Sequence, residues 1–136
     1  MGGVAVVDTN VLLYSVNRSS ERYKEARSII NSLDRIVLPT IAVYEFVWNL
    51  AVAGVSPKEA ERTLSKILLN ERVALSDDRK YLLSAFGLFG NLGLKHYNDS
   101  VILAIAKEIG TLASYDKKLR NRAEKLGIKL LPEVLE

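Results

Sequence analysis

The chain has 136 residues, 49% of them apolar, which suits one packed core and excludes a disordered segment. Its net charge of +3 leans weakly toward acidic partners and selects no class by itself. The absence of cysteine excludes disulfides, thiolate zinc sites and cysteine nucleophiles, and the lone histidine, His96, excludes multi-histidine zinc sites.

The apolar run Val4–Val7 reads as a buried parallel strand. It passes directly into Asp8, Thr9 and Asn10, without the basic region and cleavage site of a signal peptide. No stretch approaches the roughly 18 apolar residues needed to cross a bilayer, so a soluble, cytoplasmic protein with no membrane partner is expected. Helical patterns follow over Val11–Ser15 and Glu21–Leu33, then a strand over Ile36–Leu38. The segment Ile41–Ala53 is almost wholly apolar and ends at Gly54; Pro57 opens the next helix, which runs to Leu69. Arg72–Leu75 is a weaker fifth strand candidate. Helices are predicted over Asp78–Phe89 and Ser100–Ile109, a strand over Thr111–Ser114, a helix over Lys117–Leu126 and a strand over Ile128–Leu131. Alternating strands and helices predict one α/β domain over residues 1–136, with a mostly parallel central sheet of four or five strands.

Asp8 follows the first strand, Asp116 follows Thr111–Ser114, and Asp99 begins the helix leading into that strand. Ligands of open α/β sheets gather at the carboxyl ends of strands, where these acids are expected. Helix capping is the ordinary alternative for each Asp. Glu45 argues against capping as the whole account, because it interrupts Ile41–Ala53, where Asn49 is the only other strongly polar side chain. An ionised carboxylate on so apolar a helix needs compensation, by an ion pair, by exposure or by a metal shared with other acids. Asn49, four residues on, is placed to support it by hydrogen bonding.

The segment Val6-Val7-Asp8-Thr9-Asn10-Val11-Leu12 resembles the opening of PIN-domain nucleases, which include VapC-type toxins. The resemblance continues through Pro39–Glu45, Asn98-Asp99-Ser100 with Leu103, Ala104 and Ala106, and Leu112-Ala113-Ser114-Tyr115-Asp116. It ends with Leu126-Gly127-Ile128, while residues 56–93 carry none of it. The family often has Thr where this chain has Ser114, which keeps the hydroxyl. The resemblance implies a PIN-like three-layer sandwich and a Mg²⁺- or Mn²⁺-dependent endoribonuclease. Asp8, Glu45, Asp99 and Asp116 would be both catalytic residues and metal ligands, with Thr9, Asn10, Asn49 and Ser114 as hydrogen-bonding support. It further implies an RNA substrate, a small antitoxin partner and a toxin–antitoxin role, with a housekeeping RNA-processing nuclease as the close rival. Hard divalent ions prefer such oxygen donors and neutralise charge at a phosphate under attack. A non-catalytic binding domain would not need four acids. A haloacid-dehalogenase-like phosphatase wants a second Asp where this chain has Asn10.

Between Lys117 and Lys129 six cations face Glu124 alone. Lys117, Lys118, Arg120 and Arg122 are the candidate phosphate contacts, against a plain solvated face. Arg18, Arg22, Lys24 and Arg27 form a weaker patch. Asp77 and Asp78 read as helix caps and His96 as incidental. Gly87, Gly90 and Gly93 read as a frayed helix end. Tyr44, Phe46, Trp48 and Leu50 read as core or as a homodimer surface.

Overall fold

The computed structural model describes residues 2–89 and 92–136, so the reading of Gly90 lies outside the described residues. The elements are β1 (Val4–Val7), α1 (Thr9–Val16), α2 (Tyr23–Ser32), β2 (Arg35–Pro39), α3 (Thr40–Val52) and α4 (Pro57–Leu68). After them come β3 (Val73–Ser76), α5 (Tyr97–Ile109), β4 (Thr111–Ala113), α6 (Lys117–Lys125) and β5 (Lys129–Leu131). The five strands form one sheet in the order β3-β2-β1-β4-β5, every pairing parallel. No helix among the described residues is long and apolar enough to cross a membrane.

β1 lies at the centre, and its alternating side chains serve both layers. Ala5 and Val7 pack with Val11, Ile30, Ile36 and Phe46, whereas Val6 packs with Val101, Ile105, Leu112 and Leu119. Helices α1 to α4 thus cover one face of the sheet, and α5 and α6 the other. Being covered on both sides makes β1 apolar throughout. At the sheet's edge, β3 leaves Leu75 54% exposed, which accounts for its weaker pattern. It starts at Val73 rather than Arg72, whose amide donates to the Asn70 side chain (2.9 Å) and whose guanidinium donates to the carbonyls of Ile30 (2.9 Å) and Leu33 (2.8 Å) at the end of α2.

The helix predicted over Asp78–Phe89 is replaced by two 3-10 turns, Asp78–Tyr81 and Ser84–Leu88. Leu82 O, an acceptor that an α-helix would use internally, takes the Tyr97 hydroxyl (2.6 Å), and Leu88 O at the end of the segment takes Arg122 (3.1 Å). α5 begins at Tyr97, three residues before the predicted start, so Asp99 lies inside its first turn. At its far end Gly110 closes the helix at φ 105°, a left-handed conformation that side chains rarely adopt.

Asp78 departs furthest from its sequence reading. Its carboxylate reaches across to α3, accepting from Thr40 N (3.3 Å) and Ile41 N (3.0 Å), while Asp77 caps the local turn through Arg79 N. The N-cap position of α3 is Pro39, which offers no side-chain acceptor, so its first amides are satisfied from the end of β3. Removing this cap should loosen the helix that carries Glu45. Asp78→Ala is expected to cost about 1 kcal/mol of stability in urea unfolding, and Asp78→Asn less. An Asp78→Ala protein as stable as the parent would show the contact to be idle.

Candidate active site

The chain reverses direction across the sheet at β1: β2 and β3 lie on one side, β4 and β5 on the other. The ends of β1 and β4 therefore flank a crevice at the carboxyl edge, the usual ligand position in open α/β sheets. α3 leaves the same edge directly from β2. α5, which descends to β4, starts there. Asp8, Glu45, Asp99 and Asp116 come from these four elements.

Asp8 is 7% exposed. Its Oδ1 accepts from Thr9 N (2.8 Å), and its Oδ2 accepts from the Ser114 hydroxyl (2.8 Å). Asp116 uses only Oδ1 for capping, accepting from Lys118 N (2.9 Å) and Leu119 N (3.1 Å). Capping is thus real at both residues, and at Asp116 it leaves the second oxygen outside the cap. Asp99 makes no cap: His96 holds the N-cap position of α5 without a side-chain bond. Glu45 is half-buried, and its Oε1 is buried without a hydrogen-bond partner.

Electrostatics ties the four acids together. Burial, reinforced by Asp99 and Asp116, pushes Asp8 up to about 6 against the pull of its Ser114 and Thr9 hydrogen bonds. Burial also raises Glu45, with Asp8 and Asp99 adding repulsion. Asp99 is raised by burial and then by Asp116, and lowered by Arg122 and His96. His96 therefore bears on the site through its charge.

Among the described residues, no three acidic side chains stand close enough as placed to hold one metal ion. The donor set nevertheless suits a hard divalent cation: all oxygen, mutually repelling, and including an orphaned buried carboxylate atom. An incoming cation would relieve the repulsion and supply a partner to Glu45.

The supporting residues divide. Ser114 is fully buried and bridges two acids, its hydroxyl donating to Asp8 while accepting from Asp116 N (3.1 Å). Asn10 accepts from Tyr115 N (3.1 Å), tying α1 to the loop after β4, and Thr9 donates to Ala42 O (3.3 Å), tying α1 to α3. Asn49 is a correction. It is exposed and donates to the Glu45 carbonyl (2.7 Å), one helical turn back, rather than to the carboxylate. Arg120 is a second correction to the expected phosphate patch. It is 6% exposed, with its guanidinium bonded to the carbonyls of Ser114, Pro132 and Glu133. Lys117 and Lys118 are exposed beside Asp116, while Arg122 is half-buried against Leu88 O and the Ser100 hydroxyl. Sequence reasoning missed Asp78 as the cap of α3, although Pro39 at that helix start was a usable signal. It also missed the cluster in which Tyr115 donates to Glu25 (2.8 Å) with Arg22 over its ring, which no sequence spacing indicates.

With this arrangement established, comparison with known proteins is informative. The PIN-domain family matches residues 5–125. The chain is a PIN-domain protein. Among its relatives is ribonuclease VapC37 of Mycobacterium tuberculosis, 28% identical over 128 residues, covering 82% of this chain and 86% of the relative. The fold is shared with VapC20 of Mycobacterium tuberculosis, described as a toxin that cleaves the sarcin-ricin loop. That match has a TM-score of 0.68 at 16% identity, covering 88% of this chain and 94% of the other. A third likeness is VapBC2 of Rickettsia felis, solved bound to a fragment of its promoter DNA. It has a TM-score of 0.57 at 19% identity, with 87% and 92% of the two chains covered.

The raised pKa of Asp8 has a stability consequence. A carboxyl whose folded value lies above its unfolded value of 3.8 destabilises the fold once ionised, a penalty absent below pH 3.8 and complete above about pH 6. Asp8→Asn, in chelator, should match the parent near pH 4 and exceed its stability at pH 7 by about 3 kcal/mol. Urea unfolding at both pH values checks this, and a constant difference between the proteins would contradict it.

Proposed function

We infer that this PIN domain is one metal-dependent endoribonuclease, the toxin of a VapBC-type pair, working in the cytoplasm. The observation that carries this reading is the acid cluster itself, where Asp8, Glu45 and Asp99 are raised by burial and by neighbouring carboxylates and one buried oxygen lacks a partner. Asp8, Glu45, Asp99 and Asp116 would hold Mg²⁺ or Mn²⁺. The ion supplies positive charge against the negative charge that builds on a phosphate under attack. The residues of the chain orient that charge. Ser114 fixes Asp8 and the start of α6, and Arg122 offsets Asp99 while one of its nitrogens stays buried without a partner. Exposed Lys117 and Lys118 lie where an RNA backbone entering the crevice would pass.

Purified protein should cleave long RNA with Mg²⁺ or Mn²⁺ and not with chelator. Asp8→Asn, Glu45→Gln and Asp99→Asn should each reduce cleavage by about a hundredfold or more, equivalent to about 3 kcal/mol of barrier. Asp116→Asn should reduce it less, since water can replace an outlying ligand. Ala at Lys117 or Lys118 should lower the salt slope of RNA affinity by ~0.7 per lost contact. Undiminished cleavage by Asp8→Asn would reject the assignment.

Two surfaces support the partners. A groove of about 420 Å³ has an apolar floor including Leu12, Ile30 and Ile67, with Arg18, Arg27 and Lys66 among its lining residues. It suits an amphipathic, acidic segment of an antitoxin. On α3, Phe46 and Leu50 are core, whereas Tyr44 (68%), Trp48 (70%) and Val52 (71%) form an exposed stripe at successive helical turns. That stripe suits a second copy of the chain. Native mass by light scattering reads both interfaces. Trp48→Glu should halve the mass of the free protein, and Arg27→Glu with Lys66→Glu should release the antitoxin without changing that mass. A Trp48→Glu protein of unchanged mass would remove the dimer surface from α3.

A further inference from the structure

Arg120 is a buried cation with no carboxylate to justify it. The ion pairs among the described residues are Arg62–Glu59 and Lys80–Glu108, and the Arg120 guanidinium is satisfied by carbonyl oxygens alone. Keeping a guanidinium out of water on neutral acceptors is costly, and an apolar side chain could fill the same volume. The arrangement calls for a task that needs a forked donor in this position.

The acceptors define that task. Nη1 donates to Ser114 O (2.9 Å), while Nη2 donates to Pro132 O (2.7 Å) and Glu133 O (3.5 Å), beyond β5. Ser114 lies one residue past the end of β4, where sheet pairing no longer holds its carbonyl. Its N–H donates to Leu131 O (3.0 Å), and its hydroxyl joins Asp8 Oδ2 to the amide of Asp116. Every polar atom of Ser114 is therefore engaged, and Arg120 supplies the contact on the carbonyl side. If that carbonyl swung free, the bond from the Tyr115 amide to Asn10 would be left to hold the peptide plane between Ser114 and Tyr115, one plane before the Asp116 amide.

Burial pulls the Arg120 guanidinium below its usual value. The charges that bear on it are Glu124, Glu25, Tyr115 and Arg22, and it is not among those that bear on Asp8, Glu45 or Asp99. Arg122, two residues on, does bear on Asp99. Arg122 thus bears on Asp99 through charge, whereas the Arg120 side chain touches the site through the Ser114 carbonyl.

We propose that Arg120 is a positioning residue of the nuclease site: by fastening the Ser114 carbonyl to the chain beyond β5, it fixes the Ser114 hydroxyl and so the relative placement of Asp8 and Asp116. This deepens the nuclease reading and rests on it. The Arg120 amide also donates to Asp116 O (2.9 Å) as an ordinary helical bond, but its side chain reaches the acids through Ser114, so the two side chains form one unit.

The experiment uses Arg120→Gln, Arg120→Lys, Ser114→Ala and the double variant Arg120→Gln/Ser114→Ala. For each, Mn²⁺ affinity is measured without RNA, kcat and KM with RNA, and the folded fraction by circular dichroism. Supports for metal ligands typically contribute 10- to 100-fold to affinity or rate. Folded Arg120→Gln should bind Mn²⁺ at least about tenfold more weakly and lose kcat by a similar factor, with KM for RNA changed less than about twofold. Arg120→Lys, which keeps one donor for Ser114 O, should recover part of both. In the Ser114→Ala background, Arg120→Gln should add less than about twofold, because the relay is already cut. Should Arg120→Gln fail to fold, Arg120→Lys, alone and combined with Ser114→Ala, gives the same cycle. Folded Arg120 variants with parental Mn²⁺ affinity and kcat, or losses that simply multiply with those of Ser114→Ala, would overturn the proposal. A parent protein that binds Mn²⁺ yet cleaves no RNA would instead refute the nuclease reading, and the Mn²⁺ cycle would still decide the role of Arg120.

Discussion

Two strand ends must lie side by side for the acidic crevice to exist. β1 pairs with β4 through Val6 with Leu112 and Val7 with Ala113, and one step past that register Asp8 N donates to Ala113 O (2.9 Å). The hydrogen bond from Ser114 to Asp8 closes the ladder with side chains where the backbone stops. Because the chain turns from one half of the sheet to the other at β1, no connecting helix covers this edge. Topology leaves this edge open, and Asp8 after β1 with Ser114 and Asp116 after β4 stand on it.

Crowding acids at such an edge is unfavourable, and the rest of the fold reads as compensation. Asp8 and Asp116 lean on their own helix starts, whereas Asp99 and Glu45 cap nothing. Asp8 and Asp116 spend one oxygen on capping amides, where the helix dipole favours negative charge. α3 has no acceptor of its own at its start and borrows Asp78 from across the sheet, which fixes the register at which Glu45 enters the crevice. Arg122 crosses from α6 to the turn ending at Leu88 and to Ser100, and stands as the cation nearest in effect to Asp99. These contacts join elements far apart in sequence, so the site is as rigid as the packing of the layers.

Much of this was legible in the sequence, for physical reasons. Doubly covered strands must be apolar throughout, so β1 and β2 were plain from composition, while the edge strand β3, with Leu75 half out in solvent, was faint. Glu45 stood out because a carboxylate is expensive on an apolar helix. What pattern cannot show is which backbone groups are claimed from a distance. The helix expected from Asp78 to Phe89 is two 3-10 turns instead, with Leu82 O claimed by the Tyr97 hydroxyl and Leu88 O by Arg122. The basic run after Asp116 looks uniform as a string, yet α6 turns Arg120 inward and leaves Lys117 and Lys118 in water. Helical phase placed Asn49 on the face of Glu45, but its short amide found the nearer backbone carbonyl.

The bond between Ser114 and Asp8 spans 106 positions of the chain. A ribosome adds about 5 to 20 residues per second, so Asp8 emerges roughly 5 to 20 s before its partner is made. During that interval β1 lacks its neighbour on one side, Asp8 has neither Ser114 nor Asp116 beside it, and no crevice can form. A growing chain acquires its acidic cluster only when β4 and the start of α6 join the sheet. A message broken anywhere before the codon for Asp116 yields a product without it.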